Sequence, residues 1–255
     1  MKFTGERLTS HVNEYYTYEH LHRYYFAMDF IQNKCVLDVA SGEGYGVSLM
    51  ANLAQHVIGV DIEKEAITHA QNTYQKENIV FVEGDIRSLP FENGSFDIIT
   101  CFETIEHITE HDQAMGELKR VLRPNGALLI STPDSDSTHE LASRGRNPFH
   151  PLELNKKQFA SLLNNHFENV SFLYQKTINA SLIMTEETTD TALQEYRGSF
   201  SDYNQINPVS NAQYFIGICT DSEMVNTLKN SVLTYSSTHK SLLEKILFKL
   251  RNLLK

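Results

Sequence analysis

Cysteine is scarce in this chain: three in 255 residues, Cys35, Cys101 and Cys219. Each sits in an apolar, strand-like run, and no two have the spacing of a CxxC redox pair or a zinc site. That argues against a disulfide scaffold and a thiolate metal centre, and leaves buried free thiols in a reducing compartment as the expectation. Positive charge is also short. Lys and Arg number 22 against 32 Asp and Glu, a formal net charge of -10. The basic footprint of a nucleic-acid binder is missing, so no nucleic-acid partner is expected. No uninterrupted apolar run has the length of a membrane span. Met1-Lys2-Phe3-Thr4-Gly5-Glu6-Arg7 lacks the apolar core of a secretion signal, which points to the cytoplasm. What the chain does have is 41% apolar residues, enough for a substantial core in one α/β domain with additions.

The stretch that organises the rest is Lys34–Gly46, KCVLDVASGEGYG. Cys35–Ala40 reads as a strand buried on both faces. Ser41-Gly42-Glu43-Gly44-Tyr45-Gly46 then breaks it with three alternating glycines, which free the backbone to turn and to approach a ligand. A helix starting near Gly44 directs its first N–H groups into that turn. This is a nucleotide-type site at the carboxyl end of a first parallel strand. The dinucleotide fingerprint, however, is G-x-G-x-x-G. Here the spacing is Gly42-x-Gly44-x-Gly46, and Asp38 stands four positions before the first glycine. A carboxylate there suits a ligand with an ammonium group, such as S-adenosylmethionine, better than a pyrophosphate.

The stretch resembles motif I of the class I S-adenosylmethionine-dependent methyltransferases of the type 11/23 kind, and the following residues extend the resemblance. His56–Asp61 reads as a second strand and Ile79–Glu83 as a third, with Asp61-Ile62 and Asp85-Ile86 at or just past their ends. One β-α-β unit after Asp38 is where a doubly wound fold puts the acid that takes ribose hydroxyls, hence Asp61. The resemblance implies that Asp85 accepts from the adenine amino group while Ile86 packs on the ring. Phe96–Cys101 is the fourth strand, and SFDIITCFETIEHI resembles motif IV, which faces the transferable methyl and includes Phe102. Arg123-Pro124-Asn125-Gly126 reads as the end of a helix, followed by a fifth strand, Ala127–Ser131. The implied fold is a doubly wound, seven-stranded, mostly parallel α/β sheet whose last strand, Ala212–Cys219, runs antiparallel beside a sixth at Val170–Thr177. The implied cofactor set is Asp38, Ala40, Ser41, Gly42, Gly44, Gly46, Asp61, Ile62, Asp85, Ile86 and Phe102. An aromatic-rich helix over Asn13–Phe30 is expected to pack on the sheet and to act as a lid, with Arg23, Tyr16 or His20 reaching the cofactor.

Helices are further expected over Tyr45–Ala54, Glu63–Lys76, Asp112–Leu122 and from the Asn155 cap to His166, with Gln158 in the capping-box position. The organisation reads as a lid over residues 1–33, a catalytic domain over 34–220 with an insertion lacking core pattern at 180–211, and a tail over 221–255. A weak oxygen nucleophile benefits from a base, and His107, Glu106 and His150 are the candidates. His107 and His111 form an H-x-x-x-H pair, but no third ligand falls in register, so no metal is expected. Arg144 and Arg146 suit either a phosphate clamp or plain solvation. The leader FTGER…YEHLHRYYFA resembles that of methyltransferases from bacterial polysaccharide gene clusters. It implies methylation of an oxygen, or a nitrogen, on a nucleotide- or lipid-linked sugar for capsule or O-antigen, with S-adenosylhomocysteine as by-product. Two alternatives stand beside it: a quinone-like small-molecule acceptor, and a non-catalytic binder of the cofactor in a glycan-assembly complex. The basic amphipathic stretch 241–255 is compatible with packing on its own domain, self-association or peripheral contact with the inner membrane surface.

Overall fold

The computed structural model describes residues 14–136, 149–177, 180–185, 195–198, 203–206, 212–222 and 231–234. The leader ahead of Glu14, the Arg144–Arg146 loop and the 241–255 stretch lie outside them. Among the described residues no helix is long and apolar enough to cross a membrane.

The first strand, β1 (Cys35–Val39), pairs in parallel with β2 (His56–Asp61) and with β4 (Phe96–Phe102); β3 (Ile79–Glu83) extends the sheet beyond β2. Residues of a strand alternate between faces. Leu37 and Val39 therefore enter one core cluster and Val36 the other. Both faces are covered, which is why β1 reads as an unbroken apolar run. Past β4 the sheet continues through β5 (Leu122–Pro133), β10 (Tyr214–Thr220) and β6 (Asn169–Thr177). β10 runs antiparallel to both neighbours, as expected of the closing strand.

These seven strands, in the order β3-β2-β1-β4-β5-β10-β6, are the expected doubly wound sheet. Two more extend it antiparallel beyond β6: β7 (Ala180–Thr185) and β11 (Ser231–Thr234). The insertion expectation is corrected here, because Ile183 of β7 is fully buried in the second core cluster. A separate hairpin joins β8 (Glu195–Gly198) and β9 (Tyr203–Ile206).

The helices are α1 (Glu14–Ala27), α2 (Tyr45–Met50), α3 (Lys64–Thr73), α4 (His111–Val121) and α5 (Lys156–His166), of which the first three end earlier than the sequence pattern suggested. The start of the fifth strand is also corrected: Arg123–Gly126, expected to end the preceding helix, lie inside β5. A register shift between Phe96 and Ile98 absorbs them, and Arg123 bonds Asp97 at 2.7 Å. The Asn155–Gln158 capping box starts α5 as expected. Cys101 and Cys219 are buried free thiols and Cys35 is half-buried; burial pushes Cys101 up to about 12.

Candidate active site

Where β1 and β4 diverge in strand order, the carboxyl ends of the strands open into a cavity of about 650 Å³. That is the switch-point crevice of an open α/β sheet, with the volume of a small-molecule site. One wall comes from the ends of β1, β2 and β3. Ala40, Ser41, Gly42, Asp61, Ile62, Asp85 and Ile86 all line it, as the sequence suggested. The backbone explains the glycine turn. Gly44 caps α2 with φ +85°, a left-handed conformation natural to glycine. Gly46 does not line the cavity; a Cβ there would fall 2.1 Å from the Tyr24 ring, so its role is to let α1 pack against α2. Ala40 holds a left-handed φ of +57° without being glycine, backbone strain of the kind that collects at ligand sites.

The strand-end acids are not equivalent. Asp61 is buried and uses its carboxylate on the turn itself, accepting from the Gly42 and Glu63 amides at 2.9 Å each. The Asp85 carboxylate accepts from the Arg87 guanidinium at 2.6 to 3.1 Å, and the Arg87 hydrogen bonds hold its pKa below the usual carboxylate range. Arg87 also reaches Glu110 at 2.9 Å.

Asp38 is not among the lining residues, which corrects its expected direct contact with ligand. Alternation turns it to the face shared with Val36, where it accepts from the Thr100 hydroxyl at 2.7 Å and the Tyr24 hydroxyl at 3.1 Å. Burial pushes it up to about 7, against the lowering effect of those two bonds. Arg23 likewise stands outside the lining. Fully buried, it donates to Gln175 at 2.7 Å and pairs with Glu103 at 3.5 Å. From α1 it is His20 and Tyr24 that reach the cavity. Burial, then the Arg23 charge, lowers His20 to about 3, so its ring is neutral. The side chain of Tyr16 lies outside the described residues.

The opposite wall follows β4. Phe102, Glu103, Thr104 and His107 line it, the Phe102 ring set edge-on to Tyr24. Glu103 is left-handed at φ +52° and accepts from the Ser131 hydroxyl at 2.7 Å. A 3-10 turn, Ile105–His107, carries the other two acid–base candidates of this region. Glu106 is buried, with the Thr132 hydroxyl 3.4 Å away; burial and then the Glu103 charge push its pKa well up. The exposed His107 donates through Nδ1 to the Phe149 carbonyl at 3.1 Å. His150 stands edge-on to it with ring centroids 4.8 Å apart, and its Nδ1 contacts Glu153 at 2.5 Å. All three expected bases therefore meet in one cluster. His111 does not join them: its Nε2 donates to the Ile105 carbonyl at 2.8 Å.

Sequence reasoning missed Arg87 and Glu103. Arg87 stands two residues after Asp85, close enough in sequence to have suggested the pair. Glu103 carries no sequence signal for its left-handed backbone.

Residues 37–130 match the family described as "Methyltransferase domain". A "Probable S-adenosylmethionine-dependent methyltransferase" of Mycolicibacterium smegmatis is 37% identical over 128 residues, 50% of this chain and 49% of that protein. A "Malonyl-[acyl-carrier protein] O-methyltransferase" of Erwinia billingiae is 32% identical over 123 residues, 48% of this chain and 47% of that protein. The chain thus spans about half the length of these curated relatives. The crystal structure of YcgJ from Bacillus subtilis superposes with a TM-score of 0.53 at 28% identity, over 63% of this chain and 72% of that one. The site fits the cofactor that these relatives imply. Among the described residues, the Ser41 Oγ in the wall is buried with no hydrogen-bond partner, a state that costs about 1–3 kcal/mol until a ligand supplies one.

Proposed function

From a chain whose residues 37–130 carry a methyltransferase domain of the S-adenosylmethionine-dependent kind, we propose that the whole protein methylates an oxygen, less favourably a nitrogen, of a sugar or related surface-glycan precursor. One observation carries the reading: a single 650 Å³ space has the strand-end acids on one side and His107 on the other. Bound there, the donor supplies a methyl carbon whose bond to sulfur breaks, the electron pair leaving with sulfur, as the acceptor oxygen bonds to that carbon.

The protein's own share is alignment and proton removal. Asp61, the Gly42 turn and Ser41 would hold the nucleoside and amino acid ends. Positioning of this kind is worth roughly 7–11 kcal/mol. Because the His107 Nδ1–H is tied to a carbonyl, the neutral ring carries its lone pair on Nε2, the tautomer of a proton acceptor. A hydroxyl proton passing to it gives an imidazolium in the cluster shared with Glu106 and His150. The glycan acceptor is supported by the resemblance of the leader FTGER…YEHLHRYYFA. The family match ends at residue 130 and brings no acceptor with it. A peripheral membrane role for residues 241–255 belongs to the same proposal, since lipid-linked sugars reside at a membrane.

The test is incubation with methyl-labelled S-adenosylmethionine and a panel of nucleotide sugars, lipid-linked sugars, quinones and acyl-carrier thioesters. Label is expected in a sugar, with His107→Ala slowing transfer about 100- to 10,000-fold. Label in a quinone or acyl carrier instead would remove the sugar. A protein that binds NAD or ATP well but neither the donor nor S-adenosylhomocysteine would remove methyl transfer.

A further inference from the structure

Three side chains that the sequence offered only as alternative bases have the composition of a metal centre. One nitrogen each of His107 and His150 and one carboxylate oxygen of Glu106 lie within 4.8 Å of one another. Two ligands on one tetrahedral ion, each about 2.0–2.1 Å from it, stand about 3.3 Å apart. Closing that gap takes a movement of the side chains toward one another.

The surroundings supply a second, independent observation. Histidines that bind metals nearly always give their other ring N–H to a carbonyl or a carboxylate, which fixes tautomer and orientation. Both histidines here do so through Nδ1: His107 to the Phe149 carbonyl at 3.1 Å, His150 to the Glu153 carboxylate at 2.5 Å. That assigns the lone pair of each neutral ring to Nε2. Glu106 is buried and receives the Thr132 hydroxyl, so its carboxylate is oriented as well. The cavity meets the set at His107, which lines it.

We propose that Glu106, His107 and His150 form a binding site for one divalent first-row transition ion. Two imidazoles and one carboxylate with coordination positions left for solvent or substrate are the donor set of zinc, manganese and ferrous iron. Magnesium and calcium prefer all-oxygen sites. Its placement beside the methyl acceptor rests on the methyl-transfer reading; ion binding itself does not. With the ion in place the His107 lone pair is used, so a coordinated acceptor hydroxyl loses its proton to solvent at the lowered pKa that a metal imposes. A vicinal diol can chelate such an ion, which gives a sugar a means of being held.

The experiment uses tag-free full-length protein, stripped with a chelator and titrated by calorimetry with zinc chloride and, in parallel, manganese chloride. Uptake of one ion per chain is expected. Glu153→Gln should weaken it roughly 10- to 100-fold through the orienting contact alone, and His107→Gln by more than that. Circular dichroism and S-adenosylhomocysteine binding on the same samples report folding and the other wall. The proposal is overturned if folded wild-type protein takes up neither ion while binding S-adenosylhomocysteine, or if His107→Gln binds as the wild type does. Ion uptake that depends on His107 in a protein that binds no S-adenosylhomocysteine keeps the metal site and removes the methyl-transfer reading.

Discussion

The two walls of the cavity are built differently. The β1–β3 wall is local: each acid stands at or just past the end of its strand, and one β-α-β unit separates one strand end from the next. Asp61 is spent on fixing backbone: it holds the amides of Gly42 and Glu63. The β4 wall is assembled from afar. His107 finds its partner carbonyl 42 residues later, and Arg23 comes from α1 to meet Glu103. On the proposed function the first wall is a backbone-held cradle for the donor. The second is a set of side chains on a turn and a loop, which is where acceptor choice can vary.

The largest effect is expected where the cradle itself is cut. Asp61→Ala removes the acceptor of two backbone amides and, on the proposed binding mode, that of the ribose hydroxyls. Hydrogen bonds to a charged group are worth about 1.5–3 kcal/mol each. Affinity for S-adenosylhomocysteine should therefore fall more than about 100-fold in calorimetry. Asp85→Ala should cost less, because Arg87 already occupies that carboxylate. Equal losses at the two positions would break the distinction between an acid that builds the turn and one that a neighbouring arginine holds.

Much of the first wall was legible in the sequence because it is local. Cys35–Val39, His56–Asp61 and Ile79–Glu83 are apolar runs of strand length, and the glycines and acids follow at fixed offsets. Asp38 shows where that reasoning stops. Its position was right, but strand alternation turns it to the Val36 face, where Tyr24 and Thr100 claim it. β7 was overlooked because Ala180–Thr185 borders a Thr- and Asn-rich stretch, and only pairing with β6 exposes Ile183 as core. Glu106, His107 and His150 could each be nominated from residue chemistry. Their meeting could not, since it depends on how the chain returns after β5.

The second comparison is between Asp38 and Asp85, whose pKa values move in opposite directions. Burial raises Asp38 to about 7 in the folded protein, against about 3.9 in an unfolded chain. Between those values the native state holds a proton that the unfolded state has lost. The Asp38 contribution to stability is therefore full below about pH 4 and disappears as pH rises through about 7, with a slope of at most about 1.4 kcal/mol per unit. Asp85, with its pKa lowered by Arg87, contributes above its unfolded pKa and loses that contribution as pH falls. Urea unfolding of ligand-free protein at pH 5 and pH 7 tests the sign. Wild type should lose stability relative to Asp38→Asn over that interval; parallel behaviour of the two would mean that Asp38 is ionised throughout.

The smallest effect is expected on the loop side, at the start of α5. The Asn155 side chain accepts from the Gln158 amide at 3.1 Å, and Gln158 reaches back to the Asn155 amide at 3.0 Å. Removing such a cap costs about 0.5–2 kcal/mol. Asn155→Ala should therefore lower stability by about 1 kcal/mol in urea, and Asn155→Asp should largely restore it. The cap follows His150 and Glu153 directly along the chain, so fraying here reaches the second wall and leaves the first alone. S-adenosylhomocysteine affinity should stay within about twofold of wild type, because the Asp61 turn is held by its bonds to the Gly42 and Glu63 amides. If that affinity dropped together with stability, the two walls would prove to be one cooperative unit, and the division between a fixed donor cradle and an adjustable acceptor side would have to be abandoned.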